Sequence, residues 1–408
     1  MTLALRSAPA RPRGGAHPLA GRTILQIIPE LHAGGAERTA IDIAHGLAEV
    51  GARPLIASEG GRLVGDLQAH GGIWVPFPAG SKNPLSMMLN VRRLARIAYH
   101  ERAALIHARS RACAWVALGA ARALGIPFVT TYHGSYSGRS SAKRFYNSVM
   151  ARGDTVIANS SYTAGLVRDL HGTPDERVVT LHRGTDLTAF APSAVPAERV
   201  DALRRQWGIA PHERIVLLAA RLTAWKGQKL LVEAAAKLKA RGSRDVVYVL
   251  AGDHQGRDGY VRELDRLVTE CGLDGTVRRV GHCQDMPAAY LAASVVAVPS
   301  TEPEAFGRTA VEAQAMGTPV VVSDLGAVPE TVLAPPDHPA GARTGWRVPS
   351  RDADALASVL DEALSLGASA REAIAARARS HIERHFSLDR MVSGTLDVYA
   401  ALLGGRAR

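Results

Sequence analysis

The stretch EAFGRTAVE holds two carboxylates eight positions apart, Glu304 and Glu312, with an aromatic–glycine pair between them. An apolar run ends at AVPS just before it and helical spacing follows, which places Glu304 in a loop and Glu312 in the first turns of a helix. The free N–H groups of Phe306, Gly307 and Arg308 would point out of this helix start, where the helix dipole favours an anion. We therefore predict an anion site next to carboxylates that can hold hydroxyl groups. Two surface glutamates on an amphipathic helix are the alternative.

Two cations lie at the end of another apolar run, in AARLTAWKGQKLL. Arg221 ends the run, and Lys226 follows five residues later, just before a helical segment. An Arg can bind a diphosphate through two parallel hydrogen bonds and a Lys acts as a compact charge, so the pair suits a diphosphate. Solvated charges at a strand end are the alternative, which fits a single cation better than this pair. Loops at 252–254 and 281–285 also follow strand-like runs and are expected to flank a nucleobase.

The first half of the chain has weaker signals. Gly34 and Gly35 lie between the first strand-like run and a helix, where backbone N–H groups can meet a phosphate or a sugar, but their spacing is not G-x-G-x-x-G. His133 lies just past a strand end in VTTYHGSYSG, and a buried structural histidine is the usual alternative. In ANSSYTAG, Ser160 and Thr163 are expected to cap a helix first and to contact a ligand second.

Short apolar runs alternate with helical segments along the whole chain, and these elements must position the residues above. The candidate strands are TILQIIPE, RPLIASE, IWVPF, ALIHAR, PFVTTYH, TVIANS, VVTLHRG, RIVLLAAR, VVYVLAG, VRRVGH, SVVAVPS and PVVVSD. Runs that are apolar on both faces and separated by helices predict parallel sheets covered on both sides. The pattern restarts after a Pro- and Ala-containing stretch at 187–200, so we predict two Rossmann-like domains whose strand ends face a central cleft.

Composition supports a globular protein of two domains. The chain has 408 residues, of which 47% are hydrophobic and 21% charged. The longest apolar stretch, ACAWVALGAA, is closed off by Arg111 and Arg122 and is too short to span a bilayer. The three cysteines are widely spaced and form no metal motif, which fits a reducing cytosol. Residues 1–20 are rich in Arg, Pro and Gly and are expected to form a disordered basic tail.

The net charge of +11 is concentrated in the first half, where residues 1–200 contain 23 Lys and Arg against 13 Asp and Glu. This bias favours an anionic partner for that half, and a generally Arg-rich composition is the alternative. The segment SKNPLSMMLNVRRLARIAYHERA can form an amphipathic helix with apolar residues on or near one face: Leu85, Met88, Leu89 and Leu94. Beside them lie Arg92, Arg93 and Arg96, and a later loop follows with Arg139, Lys143 and Arg144. We expect this patch to dock on anionic lipid or a phosphorylated saccharide, or else to be solvated. No basic–aromatic module indicates nucleic acid.

Taken together, these motifs closely resemble the retaining glycosyltransferases of the GT-B fold, specifically the family-4 group. EAFGRTAVE resembles that family's Glu-x7-Glu motif, RLTAWKG its diphosphate-binding Arg and Lys, and GGAE its first glycine loop. The resemblance implies domains at 21–190 for the acceptor and 191–385 for the sugar nucleotide, with a helix at 386–408 that crosses back to the first domain. It also implies that no metal or other cofactor is needed.

The resemblance gives each site residue a role. Glu312 would bind the ribose, Glu304 the transferred sugar, and the backbone at Phe306, Gly307 and Arg308 the donor phosphate. Arg221 and Lys226 would neutralise the leaving diphosphate, and His133 would face the sugar at the reaction centre. Gly34 and Gly35 would close over the donor from the first domain.

The implied activity is retaining transfer of a hexose from a nucleotide sugar to a saccharide or lipid-linked acceptor. Bacterial lipopolysaccharide or surface-polysaccharide assembly is the expected setting, in the cytoplasm or at the inner face of the membrane. A GT-B-fold sugar-nucleotide epimerase and a catalytically inactive GT-B scaffold are the alternatives.

Overall fold

The computed structural model describes residues 16–32, 34–134 and 140–405. Close packing divides the chain into two compact units. The first unit contains the described residues of Met1–Thr130, Arg152–Thr155 and Ser393–Arg408, and the second contains those of Thr131–Ala151 and Val156–Val392. The boundaries between the two compact units therefore differ from residue 190, where the sequence pattern places the domain boundary.

The first sheet has seven strands in the order β3-β2-β1-β4-β5-β6-β7, and the strand pairs β1–β2, β1–β4, β2–β3, β4–β5 and β6–β7 are parallel. Its strands are β1 Thr23–Ile27, β2 Arg53–Ser58, β3 Ile73–Pro76, β4 Ala103–Ala108, β5 Phe128–Tyr132, β6 Thr155–Ala158 and β7 Val178–Thr180. The helices along this part of the chain are α1 Gly35–Glu49, α2 Val64–Ala69, α3 Pro84–His100, α4 Arg111–Leu124, α5 Ser141–Ser148 and α6 Ser161–His171.

The second sheet has six strands in the order β10-β9-β8-β11-β12-β13, and its strand pairs are parallel. Its strands are β8 Arg214–Ala219, β9 Val246–Ala251, β10 Val277–Gly281, β11 Val295–Val298, β12 Val320–Ser323 and β13 Trp346–Val348. The helices are α7 Ala197–Gln206, α8 Gln228–Ala240, α9 Asp258–Glu270, α10 Met286–Ala292, α11 Arg308–Ala315, α12 Val328–Thr331, α13 Ala353–Leu364, α14 Ala368–His385 and α15 Leu388–Gly404.

The second sheet is covered by apolar cores on both faces, as a run such as IVLL requires. Val216 and Leu218 belong to one buried cluster with helices α8 and α13, whereas Ile215 and Leu217 belong to another with α10. Since side chains alternate along a strand, the two clusters lie on opposite faces of the sheet. The sheet is thereby fixed, and the loops at the carboxyl ends of its strands are free to carry function.

The two ends of the described chain both contribute to the first unit. The predicted disordered tail lies outside the described residues up to position 15, but Leu19 is fully buried, so the packed part of the chain begins before Gly21. At the other end, Tyr399 of α15 is buried, and its hydroxyl lies 2.5 Å from Nδ1 of His107 at the end of β4. None of the helices in the described part of the chain is long and apolar enough to cross a bilayer.

Candidate functional site

Glu304 lies in the loop after β11 and is engaged by two partners. Its Oε1 atom is 2.5 Å from Nζ of Lys226 and accepts a 2.6 Å hydrogen bond from the Ser300 hydroxyl. The side chains of Lys226 and Glu304 are only 17% and 10% exposed, so the ion pair is largely removed from water. The cluster of Ser300, Lys226 and Glu304 thus places a cation and a carboxylate at the carboxyl ends of β8 and β11.

The backbone around Glu304 is fixed by a glycine in a later loop. The carbonyl oxygen of Glu304 accepts the N–H of Ala327 at 2.9 Å, and Gly326 has a left-handed φ of +66°. A Cβ atom at Gly326 would lie 2.3 Å from the Glu304 carbonyl oxygen, so a larger residue would displace the loop. Gly326 therefore allows the close approach that sets the direction of the Glu304 side chain.

Lys226 is positioned by a tight turn between β8 and α8. A single 3-10 turn at Ala224–Lys226 leads to Gly227, whose φ is +76° and where a Cβ would lie 1.9 Å from the Pro299 carbonyl oxygen. The turn brings the loops that follow β8 and β11 together. The ammonium also lies 4.2 Å from the ring centroid of Trp225.

Arg221 follows β8 directly and is exposed. Among the described residues its guanidinium has no acidic partner within 4.0 Å, unlike Lys226, so the structure does not join it to the Glu304 cluster. Its backbone is nevertheless fixed, since the Arg221 carbonyl oxygen accepts a 3.0 Å hydrogen bond from the Gln228 side chain. A Cβ at Gly252, after β9, would lie 1.9 Å from the Ala220 carbonyl oxygen, so the two strand-end loops lie close together.

Helix α11 begins two residues later than predicted. Gly307 has a left-handed φ of 85° and is the N-cap residue, so the first helical residue is Arg308 instead of Phe306. The free N–H groups of the helix itself are therefore those at the start of Arg308–Ala315, and the Phe306 N–H belongs to the loop before the helix instead of to its first turn. The Thr309 hydroxyl donates a 3.0 Å hydrogen bond to the Ala219 carbonyl oxygen, which ties this helix start to the end of β8.

Phe306 serves the site through packing. Its side chain is 3% exposed and belongs to a small apolar cluster with Val311 of α11 and Phe386 after α14. The Phe306 ring lies 5.7 Å from the ring of Phe386 and 6.4 Å from that of His182, measured between centroids. The packed ring thus anchors the loop, while the backbone of Phe306 is left available to a ligand.

Both carboxylate oxygens of Glu312 have donors. Arg308, one turn earlier, lies 2.7 Å from Oε1, and the Tyr290 hydroxyl donates to Oε2 at 2.9 Å. Burial, together with the Glu312 charge, raises the pKa of Tyr290 well above its usual value, so the phenol keeps its proton and remains a donor. Since each carboxylate oxygen has two lone pairs, Glu312 can still accept bonds from a pair of hydroxyl groups.

His133 follows β5 in the second unit, where its ring is held by Arg183. The distance from the Arg183 guanidinium to Nδ1 of His133 is 3.1 Å, and the Asn159 amide lies 3.5 Å from the His133 carbonyl oxygen. A guanidinium can only donate, so Nδ1 must accept and the proton of the neutral ring resides on Nε2. The structure thus gives His133 a defined tautomer.

Glu330 of α12 binds the N-terminus of α6. It accepts the N–H groups of Ser161 at 2.7 Å and Tyr162 at 2.8 Å, and its Oε2 lies 2.8 Å from Nε2 of His182. Burial alone raises the pKa of this carboxyl, but the hydrogen bonds from His182, Tyr162 and Ser161 outweigh it and hold the pKa below its usual value. Glu330 therefore stays charged at the positive end of α6.

The remaining predicted residues lie on other elements. Gly34 is the N-cap of α1 and Gly35 its first residue, at the carboxyl end of β1 in the first unit. The patch residues are exposed in every case: Arg92, Arg93 and Arg96 on α3, and Lys143 and Arg144 on α5. The expectation that Lys143 and Arg144 lie in a loop is wrong, because Ser140 caps a helix that contains both. Arg139 lies outside the described residues.

Several residues that build the site were not singled out from the sequence: Ser300, Tyr290, Thr309, Gly326 and Glu330. Four of them act through a partner far away in the chain, which local spacing does not reveal, whereas Ser300 lies only four residues before its partner Glu304. A tyrosine in an otherwise small-residue helix, PAAYLA, was the one usable signal, because a buried phenol needs a hydrogen-bond partner. The tripeptide Asp352–Asp354 has D-x-D spacing, but Asp352 caps α13 and Asp354 forms an ion pair with Lys237.

Comparison with known proteins agrees with this geometry. The family model of glycosyl transferases group 1 matches residues 199–381, and that of glycosyltransferase family 4 matches residues 33–189. A D-inositol 3-phosphate glycosyltransferase of Salinispora arenicola is 34% identical over 261 residues, which are 62% of this chain and 55% of that protein. The chain thus spans about half the length of the curated relatives it matches.

Two solved structures match almost the whole chain. A glycosyltransferase from Rickettsia africae superposes with a TM-score of 0.85 and 31% identity, over 94% of this chain and 99% of that one. HepE from Anabaena, solved in complex with UDP and glucose, gives a TM-score of 0.80 and 26% identity, over 93% of this chain and 100% of that one.

The two parallel sheets and these matches define a protein of the GT-B fold. The chain belongs to the group 1 glycosyltransferases, of the family-4 type, which confirms the resemblance seen in the sequence.

Proposed function

We propose that the protein transfers a hexosyl group from a nucleoside diphosphate sugar to a hydroxyl group of a saccharide or lipid-linked acceptor, with retention and without a metal ion. The observation that carries this proposal is the contact of Lys226 and Ser300 with Glu304, close to the start of α11. The cluster offers a cation and free helix N–H groups for a phosphate, and a carboxylate for sugar hydroxyls.

The reaction needs charge stabilisation at the leaving group. When the bond between the anomeric carbon and the β-phosphate oxygen breaks, negative charge develops on the phosphate. Lys226, Arg221 and the start of α11 are suited to neutralise it, and such preorganised contacts are commonly worth about 3 kcal/mol each. The acceptor oxygen forms the new bond on the same face, and its proton passes to the departing phosphate oxygen. This scheme needs no protein nucleophile.

The Lys226–Glu304 ion pair suggests a change of partners on donor binding. In the structure the ammonium and Ser300 both contact Oε1 of Glu304. A diphosphate would attract the ammonium more strongly than one carboxylate does, since it carries more charge. Glu304 would then accept hydrogen bonds from the sugar, while Glu312 accepts those of the ribose.

The comparisons suggest which donor and acceptor to test first. A structural neighbour is known with UDP-glucose, and the curated relatives are named for D-inositol 3-phosphate. We therefore place uridine donors first, and a phosphorylated polyol or saccharide ahead of a lipopolysaccharide core as the acceptor. The lipopolysaccharide glycosyltransferase WaaG is 18% identical, a level that speaks to the fold alone.

The test is product analysis with UDP-, GDP- and ADP-hexoses, inositol phosphate and saccharide acceptors, in the presence of EDTA. We expect one donor class to give a product whose anomeric configuration, measured by NMR, equals that of the donor. Glu304→Gln should abolish most of this activity, and Glu302→Gln, an exposed neighbour, should not. An inverted product would contradict retention, an epimerised donor without acceptor would indicate the epimerase, and no turnover with any donor would favour the inactive scaffold.

One face of α3 supports membrane docking as a second part of the proposal. Leu85, Met88 and Leu89 are 69%, 60% and 55% exposed, which is unusual for large apolar side chains. At 100° per residue, Arg92 and Arg96 lie on the same face, whereas Leu94 points the opposite way and is buried. Leu94 therefore does not belong to the apolar surface that the sequence suggested.

Exposed apolar residues beside arginines are typical of a helix that lies in a membrane interface. We expect the protein to sediment with vesicles that contain anionic lipid, and charge reversal at Arg92, Arg93 and Arg96 to weaken this binding. The matched control reverses three exposed arginines elsewhere: Arg205, Arg244 and Arg266. Equal binding by both variants would contradict docking through α3.

A further inference from the structure

We propose that His45, Asp66 and His70 form a binding site for a zinc ion in the first unit. The three residues come from two helices, His45 from α1 and Asp66 from α2, with His70 at the end of α2. Within the described residues they are the one group of three histidines, cysteines or carboxylates whose ligand atoms all lie within 4.8 Å of one another. The site does not depend on the proposed transfer activity.

The distances within the group are close to those between the ligands of one metal ion. The ligand atoms of the three residues all lie within 4.8 Å of one another, and the rings of His45 and His70 have centroids 3.9 Å apart. Nδ1 of His70 donates to the Asp66 carbonyl oxygen at 3.0 Å, which leaves Nε2 of that ring to bind an ion. Zinc–nitrogen and zinc–oxygen bonds of about 2.0 Å at a tetrahedral angle separate two ligand atoms by about 3.3 Å. The ligand atoms lie within 4.8 Å of one another, so zinc binding would draw them closer together.

A polar atom of the group lacks a partner, which gives a second and independent indication of a ligand. Nε2 of His45 is buried and has no hydrogen-bond partner among the described residues. A buried polar atom without a partner costs free energy, and a bound ion would remove that cost. His70, by contrast, has a side chain that is 55% exposed, so an ion can enter from solvent.

Arg38 orients the carboxylate without blocking it. Its guanidinium lies 2.7 Å from Oδ2 of Asp66 and 2.9 Å from Asp42, so it is held by two carboxylates. The Asp66 oxygen that faces His70 is Oδ1, which is the other one. Metal-binding carboxylates are commonly hydrogen-bonded in this way through their second oxygen.

The ligand types in the group, two imidazoles and a carboxylate, favour zinc over calcium and magnesium. Two imidazoles and one carboxylate are typical zinc ligands, and water would complete the tetrahedron. Calcium and magnesium prefer oxygen ligands, so two nitrogen donors disfavour them.

His45 is ten residues along α1 from Gly35, or about 15 Å, so the site lies away from the glycine loop. A zinc ion here would join α1 to α2, a six-residue helix with Leu67 as its buried residue.

The experiment uses the untagged full chain, stripped of metal by dialysis against a chelator. Zinc is then titrated in competition with a chromophoric chelator, and the melting temperature is measured with and without zinc. We expect one zinc ion per chain and a higher melting temperature. His70→Gln removes an exposed ligand without disturbing the core, and it should weaken binding by more than the 10–100-fold typical of losing an outer-shell partner.

The matched control is His254→Gln, because His254 also lies beside two carboxylates, Asp253 at 3.7 Å and Asp258 at 3.2 Å. This variant should bind zinc like the wild type. His45→Gln, checked for folding by its melting temperature without zinc, should lose binding as His70→Gln does. The proposal is overturned if the wild type takes up no zinc, if His70→Gln binds it equally well, or if His254→Gln is the variant that loses it.

Discussion

At the scale of single residues, Lys226 and Glu304 form an ion pair that keeps two opposite charges inside the site. The two groups lie 2.5 Å apart with little exposure to water, so each compensates the other. Breaking such a pair by removing one partner is costly, since it leaves an uncompensated charge behind. The pair is therefore stable without a donor and can still exchange partners when a diphosphate supplies the negative charge.

Replacing Lys226 with Ala should lower kcat by about 10²–10³-fold, because the leaving phosphate loses a preorganised cation. The measurement is steady-state kinetics with the donor that gives a product in the product analysis. Lys229→Ala is the matched control, since Lys229 is exposed and pairs with Glu263 on the surface. A Lys226→Ala variant with unchanged kcat would contradict the role of this side chain.

The sequence predicts the charged residues of the site better than their partners. Arg221, Lys226, Glu304 and Glu312 were singled out because they follow strand ends or lie on a helix start, and of these the structure joins Lys226 to Glu304 directly. The Tyr290 contact with Glu312 was not found, because its two residues are 22 positions apart and meet only in the folded unit. Ser300 was not found for a different reason: its partner Glu304 is only four residues away, but its hydroxyl has many possible partners in a loop.

At the scale of elements, glycines with positive φ shape the loops that carry the site. Gly307 is the N-cap of α11, Gly227 is the N-cap of α8, and Gly326 supports the Glu304 loop, with φ values of 85°, 76° and 66°. At Gly307 an added Cβ would meet nothing closer than 3.8 Å, so backbone conformation alone requires glycine there. At Gly227 and Gly326 both conformation and space require it.

Replacing Gly326 with Ala should destabilise the protein by more than the ~1 kcal/mol expected from conformation alone, and it should lower activity by shifting Glu304. The matched control is Gly275→Ala, where φ is +75° and nothing lies within 4 Å of an added Cβ. Thermal melting and kinetics of the two variants give the comparison. Equal loss in both would show that the contact with the Glu304 carbonyl is unimportant.

Most strands could be predicted from apolar runs, and helix ends could not. Twelve of the thirteen strands in the described chain correspond to predicted runs, and the missed one, β13, has only three residues. The start of α11 was expected near Phe306. The left-handed φ of Gly307 moves the helix start to Arg308, and the presence of a glycine in the sequence does not by itself predict that backbone conformation. Ser160, in contrast, caps α6 as predicted, accepting the Thr163 N–H at 3.0 Å.

At the scale of the whole molecule, a buried histidine links stability to pH. His381 of α14 is 7% exposed, and burial, followed by the charge of His385, lowers its pKa from 6.5 to about 4. The unfolded chain therefore takes up a proton at a higher pH than the folded one. The stabilisation is complete above pH 6.5 and is lost as the pH falls towards 4.

The free energy of unfolding should fall by about 2 kcal/mol between pH 7 and pH 5 through His381, and His381→Gln should remove this part of the decrease. Urea unfolding at the two pH values measures it. His282→Gln, at an exposed position, is the control and should leave the pH dependence unchanged. An unchanged slope in His381→Gln would contradict the assignment.

The division into compact units was the least predictable feature at this scale. The sequence places a boundary in the stretch 187–200, where composition changes. In the structure, residues such as Ser161 and His182 make their hydrogen bonds with Glu330, so packing assigns them to the second unit. Long-range partners of this kind leave no signal in local composition.

The central claim is that the cluster around Glu304 and Glu312 binds a nucleoside diphosphate. The most direct measurement is the melting temperature of the protein with UDP, GDP or ADP, without added metal, for the wild type and Glu312→Ala. We predict that one nucleotide raises the melting temperature of the wild type and has no effect on the variant. No effect of any nucleotide on the wild type, or an equal rise in the variant, would contradict the claim.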